Sequence, residues 1–161
     1  MPTSRKRKKK TNKKKRHPSR NDVLDGAYNR MTQKMRKDGI KSRISRVPHK
    51  HRISELLMDF LSENYKTCTT EREERRLISL GIICWNIANF DKEQREEQLQ
   101  QALDKIETDM GISDIMEPIM RDLVNKKVKH YNKYKYLITN YDISYLPNGQ
   151  LHLSVASAKI D

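Results

Sequence analysis

Two clusters of carboxylates are the first residues in this 161-residue chain that could do chemistry: Glu71, Glu73 and Glu74, and then Asp91, Glu93, Glu96 and Glu97. Carboxylates this close together can hold Mg2+ and orient a water for phosphodiester cleavage. Each cluster, however, opens a segment with helical spacing and is followed by arginines or lysines. Acidic residues in a first turn face the positive end of the helix dipole, so the pattern favours helix starts over a metal centre. Zinc is the other candidate, through His49, His51 and Cys68 with His130 and His152 arriving from distant segments. A structural zinc site takes four ligands, commonly from closely spaced cysteine pairs, and the two cysteines here, Cys68 and Cys84, form no such pair. The chain also has no Gly-rich phosphate loop, nucleophile elbow or paired His/Asp motif. The expectation is a protein that is not an enzyme and uses no metal or cofactor. A metal-dependent nuclease is the alternative that the acidic clusters leave.

What the chain carries in quantity is positive charge, and it is lopsided. Its formal net charge is +13, yet residues 1–52 hold 20 basic side chains against Asp22, Asp25 and Asp38, while the remainder is net −4. Arg5, Lys6, Arg7, Lys8, Lys9, Lys10, Lys13, Lys14, Lys15 and Arg16 form a dense arm. Such an arm gains free energy by releasing the counterions condensed on a polyanion, and it contacts phosphates without reading bases. Lys34, Arg36, Lys37, Arg43 and Arg46 extend the basic surface. The alternative is a tail that serves only for solubility, localisation or docking on acidic surfaces.

A second basic stretch, Lys126–Tyr136, interleaves lysines with Tyr131, Tyr134 and Tyr136. Lys126, Lys127 and Lys129 could add phosphate contacts, and the rings could stack on unpaired bases. The competing reading is a helix end whose lysines complement the dipole and whose tyrosines cover the following hairpin. The alternation that runs from these tyrosines into the next segment favours the second reading.

Charged residues make up 34% of the chain and hydrophobic ones 35%, with a mean hydropathy of −0.96. No apolar run approaches the roughly 18 residues that a membrane span needs. The charged N-terminus has no following hydrophobic segment, which argues against a secretory signal, and its Lys-rich composition argues against a transit peptide. Cys84 lies in the most apolar stretch and Cys68 in a polar one, so one buried and one exposed thiol are expected rather than a disulfide. These features point to the cytoplasm, or to the nucleus in a cell that has one.

The elements that must position these residues follow from the apolar spacing. Residues 1–20 offer nothing apolar to offset ordering entropy and are expected to be disordered when free. Asn21 or Asp22 can cap a basic helix bearing Val23, Leu24, Ala27, Tyr28, Met31 and Met35, with Gly39 as its stop. Its narrow apolar stripe either docks on the domain or lies on a partner. A basic linker runs from Ile40 to Arg52. Ile53, Leu56, Leu57, Phe60 and Leu61 mark the next helix. Thr70 and Glu73 form a capping box before a helix that is apolar nearly all round, with Gly81 admitting a close neighbour. Asp91 and Gln94 form a second candidate capping box, with Phe90 as a staple, at the start of another helix that Gly111 ends. Ser113 caps the last, in which Pro118 is tolerated only near the first turn. Leu137, Thr139, Tyr141, Ile143 and Tyr145 then alternate, Pro147-Asn148-Gly149 turns, and Leu151, Leu153 and Val155 alternate again, a hairpin with a Gly bulge.

The expected architecture is mainly α within the α+β class. A disordered arm (1–20) and a basic helix with its linker (21–52) precede a domain (53–161) in which a compact four-helix bundle carries a C-terminal β-hairpin. The expected partner is nucleic acid, RNA somewhat favoured over DNA, with a second possibility that a protein binds the bundle or the hairpin edge. The sequence does not specify an oligomeric state.

Overall fold

The structure, a computed structural model, describes residues 19–38 and 52–160. The first element, α1 (Arg20–Lys37), starts earlier than expected. Ser19, rather than Asn21 or Asp22, is its cap: Asp22 N donates to Ser19 Oγ while Ser19 N donates to the Asp22 carboxylate. This reciprocal box satisfies two backbone donors, which a cap two or three residues later would leave to water. The arm of residues 1–18 and the linker from Gly39 to His51 lie outside the described residues.

Helix α2 (Ile53–Phe60) buries Leu57 and Phe60, and a single further turn, α3 (Ser62–Tyr65), follows a break at Leu61. The capping box at Thr70 and Glu73 forms as expected and opens α4 (Glu71–Ile87). The α4 helix touches α3 and later elements on several sides. It buries Ile78, Ile82, Cys84, Trp85 and Ile87, as its nearly continuous apolar surface requires. Gly81 is there because Leu61 needs the space: a Cβ at this position would sit 2.6 Å from both Leu61 methyl carbons.

Helix α5 (Lys92–Met110) starts where Asp91 accepts from Gln94 N, but Gln94 makes no return bond and Phe90 stays exposed, so neither box nor staple is complete. Gly111 ends it at φ 66°, the left-handed region that favours glycine. Helix α6 (Ser113–His130) departs from expectation at its start. Ser113 is its first residue and not its cap; the Glu107 carboxylate of α5 accepts from both Ser113 N and Oγ. Pro118 lies in the second turn rather than the first. That is tolerated because Asp114, four residues earlier, is exposed and its carbonyl can turn to water.

Strands β1 (Tyr136–Tyr145) and β2 (Leu151–Lys159) form the two-stranded antiparallel sheet. Its turn is as read: Gly149 N donates to Leu146 O, Leu146 N donates to Gln150 O, and Gly149 takes φ 80°. The expected alternation fails at one place. An irregularity between Ile138 and Asn140 makes Thr139 an extra residue, so Ile138 is buried and Thr139 is exposed. Beyond this bulge Tyr141 and Ile143 face the core cluster, joined there by Ile138, Leu153 and Val155. The protein is thus mostly helical with a C-terminal hairpin.

The opposite face of β1 presents Asn140, Asp142 and Ser144, all nearly buried, and α1 packs chiefly on this strand. Ala27, Met31 and Met35 are buried on α1 outside the main core cluster. Arg30 pins the seam: its Nε and Nη2 donate to the two Asp142 oxygens at 3.0 and 2.9 Å, and Nη2 also donates to Ser144 Oγ at 2.8 Å. Burial alone would raise the Asp142 carboxyl, but the bonds from Arg30 and Ser144 and the charge of Arg30 outweigh it and hold it below the usual range. The basic helix therefore docks on its own domain.

Two measurements check this packing. Gly81→Ala should cost about 1–3 kcal/mol in denaturant unfolding through overpacking, and the cost should shrink in a Leu61→Ala background. Arg30→Ala should cost about 1–3 kcal/mol at neutral pH by stranding the Asp142 carboxylate, towards the lower end because the guanidinium is half-exposed. Since the Asp142 pKa is depressed by folding, its stabilisation is present above the unfolded value of 3.8 and fades as pH falls through the folded one. The difference between parent and variant should accordingly narrow in acid.

Candidate nucleic-acid interface

The positions of Arg30 and Lys34 give α1 its direction. Arg30 meets Asp142 and Ser144, and Lys34 Nζ, one turn later, donates to Tyr141 O at 3.2 Å. The helix therefore runs against β1, and its C-terminal turn, with Lys34, Arg36 and Lys37 exposed, heads toward the strand's beginning. Cations at that turn also complement the helix dipole. At the beginning of β1, Tyr136 pairs with Lys159 of β2, and Ile160 N donates to Lys135 O. The last turn of α6 supplies Lys129 and His130, and the loop after it supplies Lys133 and Lys135, all exposed. Residues 123–141 contain no Asp or Glu. Three separate segments thus direct exposed cations toward one end of the molecule, where their fields add.

This end includes residues that the sequence reading passed over. Lys133 and Lys135 lay in the Lys/Tyr stretch without being singled out, and Lys159 is an isolated lysine at the close of a strand. Strand register alone reveals the last: Lys159 lies 24 positions from Lys135 in sequence and reaches it through the Tyr136 pairing.

The reading of Lys127 as a phosphate contact is corrected. Its side chain is 1% exposed. Nζ donates to Tyr131 O at 3.1 Å, to Tyr134 O at 3.2 Å and to Asn89 Oδ1 at 3.4 Å, and lies 4.6 Å from the Trp85 ring centroid. An enclosed ammonium with these partners closes the end of α6 and reaches no phosphate. Burial, followed by the like charges of Lys135 and Arg95, pushes its pKa down to about 8. Lys126 is also diverted: its Nζ donates to Phe60 O at 2.8 Å and lies 4.0 Å from Glu63, which satisfies a free carbonyl at the end of α2. Lys129 stays exposed. Arg5, Lys6, Arg7, Lys8, Lys9, Lys10, Lys13, Lys14, Lys15 and Arg16, with Arg43 and Arg46, fall outside the described residues.

Tyr131 and Tyr134 of the stretch pack against the core cluster. Tyr131 sits edge-on to Phe60 at 5.6 Å and tilted against Trp85 at 6.0 Å, and its hydroxyl donates to Asp59 at 2.7 Å. Burial and the Asp59 carboxylate push its phenol up to about 12.

The carboxylate clusters have structural employment. Glu73 closes its capping box. Glu74 accepts from the Tyr65 and Tyr145 hydroxyls at 2.7 and 2.8 Å, and burial followed by this carboxylate raises both phenols. Asp91 caps α5, and Glu96 pairs with Arg121 at 2.7 Å. Among the described residues no group of three or more His, Cys, Asp or Glu side chains could hold a metal ion. Cys84 is fully buried, which pushes its thiol up to about 12, and Cys68 is half-buried rather than exposed, with its thiol also raised by burial. Neither resembles the exposed, low-pKa thiol of a nucleophile. Among the described residues no helix is long and apolar enough to cross a membrane.

Comparison with protein-family models, with curated proteins and with solved structures found no match to this chain.

The buried ammonium yields a pH test. Folding lowers the Lys127 pKa from 10.5 to about 8, so between those values the unfolded chain binds more protons and stability rises with pH. The burial penalty is in full force below the folded value. From about pH 7 to about pH 9.5, urea unfolding should show the parent gaining about 1–3 kcal/mol relative to Lys127→Met, which lacks the titrating group.

Proposed function

We propose that this protein is a non-enzymatic nucleic-acid-binding protein that grips the phosphate backbone of RNA or DNA. In this reading the dense arm from Arg5 to Arg16 supplies much of the affinity. The exposed end formed by Lys34, Arg36, Lys37, Lys129, Lys133, Lys135 and Lys159 fixes where the polyanion enters, and a helical bundle holds that end in shape. The observation that carries the proposal is the convergence of exposed cations from α1, the α6 end and the β2 end at one pole, in a chain whose excess charge is so unevenly distributed. Isolated lysines spread over a surface would serve solubility equally well. Clustered ones repel one another unless an anion lies among them.

A second reading, a protein adaptor, draws on one observation. Met110, Ile115 and Ile119 are exposed where α5 meets α6, beside Asp109 and Asp114. Apolar side chains within an acidic surround suit a protein partner, and the basic arm would then serve only for docking or address.

Salt separates the two. Binding of a fluorescent single-stranded RNA and of a duplex DNA should weaken as salt rises from about 50 to about 200 mM. Log–log slopes should lie near −0.7 and −0.9 respectively per neutralised phosphate. Replacing Lys133, Lys135 and Lys159 together by Gln should flatten the slope by about 1–3, whereas Lys126→Gln should barely alter it. No association of the intact chain in dilute buffer, or a flat salt dependence, would overturn the proposal.

A further inference from the structure

Among the described residues Phe90 is the one exposed aromatic side chain, with a fractional exposure of 39%. Its place in the chain predicts burial instead. A hydrophobic residue just before a helix cap often packs on the fourth residue of the helix. Here that residue is Arg95, whose Nη2 donates to Phe90 O at 2.8 Å. Phe90 N in turn donates to Ile87 O. The backbone under the ring is thus held at both its donor and its acceptor, while the ring is not part of the core cluster. A fixed backbone lowers the ordering cost of any contact that the ring makes.

The same turn meets the cationic pole. Asn89, the preceding residue, donates from Nδ2 to Tyr136 O at 2.9 Å, and its Oδ1 accepts from Lys127 Nζ. Phe90 and Lys135 are therefore the chain neighbours of two hydrogen-bonded residues. Lys135 and Arg95 both stand close enough to the Lys127 ammonium to lower its pKa. Arg95 has no carboxylate partner among the described residues; its guanidinium bonds Phe90 O, and its Nε is buried without a partner. The carboxylates of this corner are Asp91, which caps α5, and Glu93. Lys92, Arg95, Lys133, Lys135 and Lys159 outnumber them.

A ring exposed among cations suits one kind of partner. The cations hold phosphates, and an aromatic face takes the flat face of a base, whichever base it is. Inside a duplex both faces of a base are covered, so it reaches a protein ring only after costly unstacking. An unpaired base needs no such step. A protein partner would call for a broader apolar surface. Met110, Ile115 and Ile119 lie at the far end of α5 and the start of α6, however, and Ile83 lies back within α4.

We propose that Phe90 is a base-stacking residue and that the cationic pole accordingly takes single-stranded nucleic acid, with one unpaired base on the ring and the flanking phosphates on Arg95 and the lysines. This rests on the nucleic-acid reading above and narrows it to a substrate class. The full chain is titrated with three fluorescent probes of equal length: a single-stranded oligonucleotide, the same strand made abasic, and a duplex. Phe90→Ala should weaken binding of the single strand by roughly tenfold and leave the abasic strand and the duplex nearly unchanged. Phe90→Tyr should restore the single strand. The salt slope should not move, because no phosphate contact is lost, and an unchanged urea midpoint confirms that the exposed ring is not holding the fold. A single strand that binds Phe90→Ala as well as the parent, or a loss shared equally by all three probes, would overturn this inference alone and leave the backbone grip standing. Association of the parent with none of the probes would overturn the underlying reading as well.

Discussion

The indole of Trp85 is the contact on which the rest of the arrangement depends. Its ring receives the Phe60 edge at 5.5 Å, lies against Tyr131, and has the Lys127 ammonium over its face. Its Nε1 donates to Tyr136 O at the start of the hairpin. One side chain in the middle of the chain thereby joins α2, the end of α6 and the first residue of β1. A large aromatic ring supplies apolar area to the helices and a polar group to the strand, which is what an interface between helices and a sheet edge requires. Lys127 completes it by adding a second hydrogen bond to the Tyr131 and Tyr134 carbonyls, which already accept from Tyr134 N and Tyr136 N at the end of α6. A lysine is suited to this because its stem packs along apolar surface while its head reaches several acceptors.

The hairpin then acts as a divider. One face gives Ile138, Tyr141 and Ile143 to the helices, and the other gives Asn140, Asp142 and Ser144 to α1. The bulge at Thr139 makes this possible. Were the strand regular through Thr139, Ile138 and Tyr141 would fall on opposite faces, and either the core would lose an anchor or Arg30 would lose its carboxylate. By holding α1 in a fixed direction, the same seam carries the helix's cations to the pole already occupied by the ends of α6 and β2.

Local chemistry was legible in the chain and long-range chemistry was not. The capping box of Thr70 and Glu73, the cap at Asp91, the stop at Gly111 and the turn through Gly149 each depend on neighbours within a few positions, and all were read correctly. The close approach at Gly81 was also foreseen, although its partner Leu61 could not be named. The Arg30–Asp142 pair spans 112 positions, so nothing near either residue announces it. Lys127 and Lys129 look equivalent in a basic run. Only the packing of α6 separates them, by turning one toward Trp85 and the other to solvent. Ser113 resembled a cap because its type is common there, yet the cap position lies one residue earlier, with Met116 N donating to Ile112 O, and Ser113 donates instead to Glu107 of the preceding helix. The cationic pole itself arises from strand register and helix direction, which composition does not encode.

The seam between α1 and the sheet is polar at its centre, and water can replace most of what Arg30, Asp142 and Ser144 give one another. Among the described side chains, α1 buries Ala27, Met31 and Met35 at this seam, whereas the core helices share one continuous cluster of buried apolar side chains. A polar seam of this kind is where local opening is expected to start, ahead of the apolar core.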